Sequence, residues 1–264
     1  GLVLLDRTPF YAEGGGQVGD TGFLWSADGR AAVTDTKARA PGIHLHVVNV
    51  MEGTIAAGQR VVADVARDRR QATMRNHTST HLLHAALREL VGTNVKQAGS
   101  LVAPDRLRFD FSHFQPLEPG AIRALEDLVN EKILEDIALT SDVVPIDEAL
   151  RAGAMALFGE KYGSLVRVMR IGEFSIELCG GTHTARTGEI GLFRLVSERG
   201  VSSGVRRVEA LSGQAALRKV QEDSDLLRRV EQTVGVGRSE LVDQLEKKLA
   251  QSKMLQKEIE TLRM

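Results

Sequence analysis

The spacing of hydrophobic positions changes along the chain. From residue 1 to about 68 they fall in short runs: LVLLD (Leu2–Asp6), TGFLW (Thr21–Trp25), AAVTDTKA (Ala31–Ala38), IHLHVV (Ile43–Val48) and RVVADV (Arg60–Val65). The turn-prone segments EGGGQVGD, SADGR, APG and MEG separate them. Short apolar runs bounded by Gly, Asp and Pro read as strands. Many of them at close spacing predict a small β-barrel or sandwich. From Asp68 the rhythm becomes helical, with Met74, His77, Thr78, His81, Leu82 and Ala85 in phase and a stop at Gly92.

RLRFDFSHF alternates, with Leu107, Phe109 and Phe111 on one face and Arg108 and Asp110 on the other. A second helix is predicted from Pro119 to Glu135, carrying Ile122, Leu125, Val129 and Ile133 on one stripe. A short helix follows Pro145, and SLVRVMRIG, FSIELCGG, GLFRLVSERGV and VRRVEALSG are strand-like. Strands and helices interleave irregularly, which favours an α+β fold over a doubly wound sheet. After Gly213 the chain turns to Leu, Glu, Lys, Arg and Gln, in two helical stretches parted by Gly235–Gly237. Ser239 can cap the second, and Leu241, Leu245, Leu249, Leu255, Ile259 and Leu262 form an imperfect stripe. A helical hairpin or coiled coil is the simplest reading, with self-association through these helices as a corollary. The expected division is 1–68, 69–213 and 214–264.

The chain of 264 residues is 42% hydrophobic and 26% charged, a soluble globular balance with enough length to bury a core unaided. A net charge of −1 gives no bulk attraction to nucleic acid, so any such contact needs a local basic face. Two clusters qualify: Arg67, Arg69, Arg70 and Arg75, and the pair Arg206 and Arg207. Each arginine can meet a phosphate backbone or end in a surface ion pair. No apolar run approaches the roughly 20 residues of a membrane-spanning helix, and no signal peptide is visible. The single cysteine, Cys179, excludes an intrachain disulfide framework and fits a reducing, cytoplasmic setting. The start at Gly1, straight into a strand-like run, suggests a segment of a longer protein.

Candidate chemistry centres on histidine. His77 and His81 are four apart in a predicted helix, so both imidazoles can reach one ion. CGGTH supplies Cys179 and His183, again four apart, across a glycine pair that permits a tight turn. Either pair alone is an ordinary occurrence; both in one chain point to a shared tetrahedral nitrogen–sulfur site, a donor set that suits zinc. His84 reads as a packed or hydrogen-bonded neighbour on the helix, and His44, His46 and His113 as strand or turn surface. The metallopeptidase pattern places Glu after the first His. Thr78 stands there instead, which argues against peptide hydrolysis by that route. Four protein ligands would also fill the tetrahedron, the structural arrangement, unless one is displaced.

Read together, LDRTPFYAEGGGQVGDTG, RNHTSTHLLHAALRELVGTNVKQAGSLVAPDRLRFDFSH, GAMALFGEKYG and ELCGGTHTARTGEIGLFRLVSERGVSSGVRRVEALSG resemble the editing region of bacterial alanyl-tRNA synthetases. The likeness covers nearly all of residues 1–213, and the helices beyond resemble the start of the segment leading to that enzyme's C-terminal domain. It implies a small β-barrel, then an α+β editing domain of the kind shared with threonyl-tRNA synthetase. It implies hydrolysis of the ester joining serine or glycine to tRNA(Ala), with ATP binding left to the full-length enzyme. It matches His77, His81, Cys179 and His183 to zinc ligands and Gln97 to a position tied to editing. It also sets Gly14, Gly15, Gly16 and Gln17 in a glycine-rich motif beside the pocket. On this reading Thr78, Thr80 and Gln97 are polar liners near the reacting ester, and Arg75 is a substrate contact. The plainer alternatives are helix-facing threonines and an ordinary loop glutamine. No class II activation motif is recognisable, so synthesis of aminoacyl-tRNA is not expected of this segment. Two other readings remain: a free-standing trans-editing deacylase, and a zinc-stapled tRNA-binding module without turnover.

Overall fold

The computed structural model describes residues 1–40, 42–155 and 163–263. Most of the GAMALFGEKYG motif therefore lies outside the described residues. The chain forms two compact units, Gly1–Ala216 and Leu217–Met264.

The first unit opens with β1 (Leu2–Leu4), β2 (Gly22–Trp25), β3 (Gly29–Ala40), β4 (Ile43–Gly53) and β5 (Val62–Val65). All five predicted strands are present, in one antiparallel sheet of order β1-β4-β3-β2-β5. The sheet is open, which corrects the expected barrel. β1 and β5 have three and four residues, each pairs with a single neighbour, and closure would require them to pair with each other. Phe10, Leu24, Ala31, Val33 and Val48 form its core. His46 is also inside, fully buried, with Nε2 2.8 Å from Thr8 Oγ1 and Nδ1 3.1 Å from the Val3 carbonyl. It is not a surface histidine, because two polar partners and the edge of Phe10 satisfy it in the interior.

The chain then runs through α1 (Arg67–Leu90), β6 (Gln97–Val102), β7 (Leu107–Ser112), α2 (Pro119–Leu134), β8 (Leu139–Pro145), α3 (Ile146–Arg151), β9 (Leu165–Ile171), β10 (Ser175–Leu178), β11 (Phe193–Ser202) and β12 (Val205–Ser212). Two further antiparallel sheets result, β11-β12-β7-β6 and β10-β9-β8. Leu107, Phe109 and Phe111 point from β7 into the main core, where Leu82, Leu83, Ala86 and Leu87 of α1 and Leu125, Val129 and Ile133 of α2 meet them. Every α1 residue from Asn76 to Leu87 is buried. This helix therefore has an apolar side packed in the core and a polar side, Asn76, His77, Thr78, Thr80, His81 and His84, that is buried as well. Buried polar groups need partners, and the site consists of them.

The second unit holds most of α4 (Gly213–Val234) and all of α5 (Leu241–Leu262). Both helices form where expected. The α5 stripe is not covered in a hairpin, however: Leu249 is 63% exposed and Leu262 80%.

Candidate metal centre and adjoining pocket

Three segments of the first unit converge. The first is the glycine-rich run, where Gly14 and Gln17 exchange both backbone hydrogen bonds, at 3.1 and 3.0 Å. Gly15 and Gly16 sit between them with φ of 57° and 81°. Two positive φ values at the centre of a two-residue turn are the type I′ requirement, which glycine meets without strain. Gly16 also lies flat against β6, where a Cβ would come within 2.2 Å of Ser100 Oγ. The second segment is the polar side of α1. The third is β10 with the turn that follows it, ELCGGTH.

His77, His81, Cys179 and His183 come together with their donor atoms all within 4.8 Å of one another. Cys179 Sγ lies 3.4 Å from His77 Nε2 and 3.2 Å from His183 Nε2. Around a tetrahedral ion with bonds of about 2.1 Å to nitrogen and 2.3 Å to sulfur, such atoms stand about 3.6 Å apart. Each outer ring nitrogen faces a polar oxygen. His77 Nδ1 is 2.7 Å from Gln17 Oε1, His81 Nδ1 3.1 Å from Glu177 Oε2, and His183 Nδ1 3.3 Å from Thr78 Oγ1. Holding Nδ1 from outside leaves Nε2 directed inward, the usual dress of a metal-binding histidine. Gly181 fits the same picture, since a Cβ there would lie 2.0 Å from His77 Cε1. The glycine pair thus serves close approach at residue 181, while residue 180 faces open space.

The electrostatics of the cluster suit a cation. Burial pushes the Cys179 thiol up, but His77 and His81 beside it, with contacts from His183 and His77, hold it well below its ordinary value. Burial likewise opposes the charged form of Glu177, and His81 with His84 overrides it, leaving the carboxylate far below the usual range. Burial and the neighbouring His77 push His183 down to about 3, so its imidazole is neutral. Burial also works against a charged His81, yet Glu177 and Cys179 hold its pKa well above the ordinary value. Thiolate and neutral imidazole are the forms that bind metal.

A cavity of about 200 Å³ opens beside these donors. Tyr11, Gly14, Gly15, Thr80, Gln97 and Ser100 line it together with His77, His81 and Cys179. Gln97 is therefore no loop residue but the first residue of β6, its Nε2 3.3 Å from Ser100 Oγ. Thr78, Gln17 and Arg75 are not in the lining. Thr78 is fully buried and accepts from Thr184 N and Thr184 Oγ1, both at 3.2 Å. Arg75 donates from Nε to the Glu189 carbonyl at 2.9 Å. Thr80 also donates its hydroxyl within α1, to the Asn76 carbonyl at 2.8 Å.

Two participants escaped the sequence reading. Glu177 bridges His81 and His84, and alternation along β10 sets it on the same side as Cys179, a signal that was present in ELC. Asn76 donates to the Ala103 carbonyl and accepts from Ser212 Oγ, both at 2.7 Å, so α1 is fastened to β12 directly beside the site. Nothing in the local sequence marks that contact.

The sequence pattern of the family described as "Threonyl and Alanyl tRNA synthetase second additional domain" matches residues 166–209, which carry β9, β10, the CGGTH turn and β11. That of "tRNA synthetases class II (A)" matches residues 1–69. The alanine–tRNA ligase of Acetivibrio thermocellus is 54% identical over 261 residues, 99% of this chain. That of Thermus thermophilus is 51% identical over 267 residues, again 99% of this chain, and that of Thermotoga maritima 48% over 267, covering 97%. The chain belongs to the alanine–tRNA ligase family. It spans about 30% of the length of these relatives. The two family matches together hold Gln17, Glu177, Cys179 and His183, while His77 and His81 lie between them and within the span of the full-length relatives.

Proposed function

We propose that this segment hydrolyses the ester of tRNA(Ala) mischarged with serine or glycine, at a zinc ion held by His77, His81, Cys179 and His183. The observation that carries the reading is the small cavity lined by three of the four donor residues, His77, His81 and Cys179. Its volume of about 200 Å³ suits the aminoacyl end of a small amino acid, with the nucleic acid left outside.

A site that must accept alanine cannot strongly reject glycine, which lacks a methyl, or serine, which adds a hydroxyl. Such differences are worth roughly 1–3 kcal/mol, or about 10–200-fold. A second, hydrolytic site removes the errors. Its substrate is an activated ester, so orientation and polarisation suffice without a strong general base. Bound zinc would supply Lewis acidity toward a carbonyl or a water. The chain's own groups do the rest. Gln97, Thr80 and Ser100 offer hydrogen bonds from the cavity lining, which Tyr11 and Val102 complete. Thr78 acts one layer back, on His183.

Deacylation of Ser-, Gly- and Ala-tRNA(Ala), with zinc measured on the same sample, tests the reading. Hydrolysis of the first two and sparing of the third is expected. Cys179→Ala should lose zinc and hydrolysis together, and full zinc occupancy in that variant would contradict the ligand assignment. Full zinc with tRNA binding and no turnover would favour the stapled binding module, which the four-donor count also accommodates.

A further inference from the structure

We infer that Gln17 is a positioning residue of the metal centre: it fixes the ligating tautomer of His77 and ties that ring to the Cys179–His183 turn, and it does not contact substrate. This rests on the four-donor metal reading above.

The backbone N–H of Thr182 points at one end of the Gln17 amide, 2.9 Å away. A backbone N–H can only donate, so that end is the oxygen, Oε1. The same oxygen lies 2.7 Å from His77 Nδ1. An amide oxygen can only accept, so Nδ1 carries the proton. The neutral ring then has its lone pair on Nε2, the atom 3.4 Å from Cys179 Sγ. The other end of the amide is also used, Nε2 donating to Thr182 Oγ1 at 2.9 Å. One side chain thus reads the orientation of the CGGTH turn from its backbone and imposes the matching tautomer on a histidine of α1.

The amide can do this only if it is itself held. Gln17 is fully buried. Its backbone is pinned by the exchange with Gly14 across the turn. Its neighbours are pinned to β6, with Val18 N donating to Val102 O at 3.0 Å and Val102 N to Gly16 O at 2.7 Å. The bare face of Gly181 lets the two groups approach, because a Cβ there would sit 2.9 Å from Gln17 Oε1. Gln17 is absent from the cavity lining, whereas Gly14 and Gly15 are part of it. The N-terminal sheet segment therefore completes the metal centre, and its glycines serve turn geometry and close packing as well as the cavity wall.

The test compares zinc affinity, by competition with a chromophoric chelator, in the unsubstituted chain, Gln17→Met, Gln17→Glu and Cys179→Ala. Methionine keeps the volume and removes the acceptor, and loss of such an outer partner should weaken metal binding about 10–100-fold. Glutamate keeps an acceptor for both His77 and Thr182, so affinity close to that of the unsubstituted chain is expected. The cobalt(II) absorption bands should shift in Gln17→Met and not in Gln17→Glu. Independently of any variant, long-range proton–nitrogen NMR of the zinc-loaded chain should find His77 protonated on Nδ1. Unchanged affinity in Gln17→Met beside a lost site in Cys179→Ala would overturn the Gln17 assignment alone, as would a His77 protonated on Nε2. A chain that takes up no zinc at all would overturn the metal reading and this inference with it.

Discussion

Glu177 Oε1 lies 3.1 Å from His84 Nδ1, on the carboxylate whose other oxygen is 3.1 Å from His81 Nδ1. The three histidines of NHTSTHLLH thus divide. His77 and His81 present donor atoms to the cluster, and His84, its ring centre 5.1 Å from that of Phe109 and tilted by 44°, shares the carboxylate from outside. Ser175 Oγ adds a third contact to Glu177 at 3.2 Å.

This division gives a first prediction. Glu177→Ala removes the group that orients His81 and should weaken zinc binding about 10–100-fold. Breaking the buried contact should also cost about 3–5 kcal/mol of stability. His84→Leu removes one buried hydrogen bond to Glu177 Oε1, which keeps Ser175 Oγ, and should cost about 1–3 kcal/mol while keeping the zinc. Chelator competition and urea unfolding on both variants separate the two effects. Equal zinc loss in both would mean that His84 belongs to the ligand set.

The glycine pair offers a sharper contrast. Gly181→Ala would place a Cβ 2.0 Å from His77 Cε1, whereas Gly180→Ala meets nothing within 4 Å. The first should lower stability by about 1–3 kcal/mol through overpacking and displace His77 from the cluster, and the second should be nearly silent. Zinc content by atomic absorption in the two purified variants checks this. Retention of full zinc in Gly181→Ala would mean that the turn can shift without cost.

How far this site was legible follows from the range of each contact. The four donors were readable because each pair is local, four residues apart, and both pairs carry metal-binding types. β7 was readable because Leu107, Phe109 and Phe111 alternate toward a single core. β6 and β8 were not. QAGSLV lacks alternation, and LTSDVVP is a largely exposed edge strand with no apolar face to display. The bond from Gln17 to His77 spans 60 residues and that from Asn76 to Ser212 spans 136, so no local pattern foreshadows them. His46 misled for the opposite reason: an alternating strand accepts a histidine on either face, and only Thr8 and Val3 decide which.

The arginines separate into two groups. Arg207 grips Asp110 with Nε and Nη2 at 2.7 and 2.8 Å, Arg206 grips Glu198 with Nε and Nη2 at 2.5 and 2.7 Å, and Arg70 is paired with Asp20. These three are therefore in ion pairs rather than free for phosphate, while Arg67 and Arg69 of the first cluster are exposed. Arg207→Ala should destabilise the chain by about 1–3 kcal/mol, since it strips a buried acceptor of its partner. Arg67→Ala and Arg69→Ala should leave stability unchanged, and each should reduce the salt slope of tRNA binding by about 1. Filter binding across a salt series decides: an unchanged slope in the double variant would remove these two residues from the tRNA contact.

The buried His46 leads to a pH dependence whose sign can be worked out. Burial lowers its pKa, partly offset by the Val3 carbonyl that accepts from Nδ1 and reinforced by the nearby His44. In the unfolded chain the ring titrates at about 6.5. The folded state takes up the proton less readily than the unfolded one, so the unfolded state holds more protons below that pH. The stability contributed by neutral His46 is therefore fully present above about pH 6.5 and is lost progressively as the pH falls toward the lower, folded value. The metal ligands titrate too, so the comparison must cancel them. In zinc-loaded samples, the difference in urea midpoint between the unsubstituted chain and His46→Gln should be constant above pH 7 and shrink as the pH is lowered. A difference that stays flat down to pH 5 would mean that His46 keeps its proton equilibrium on folding, against its full burial between Thr8 and Val3.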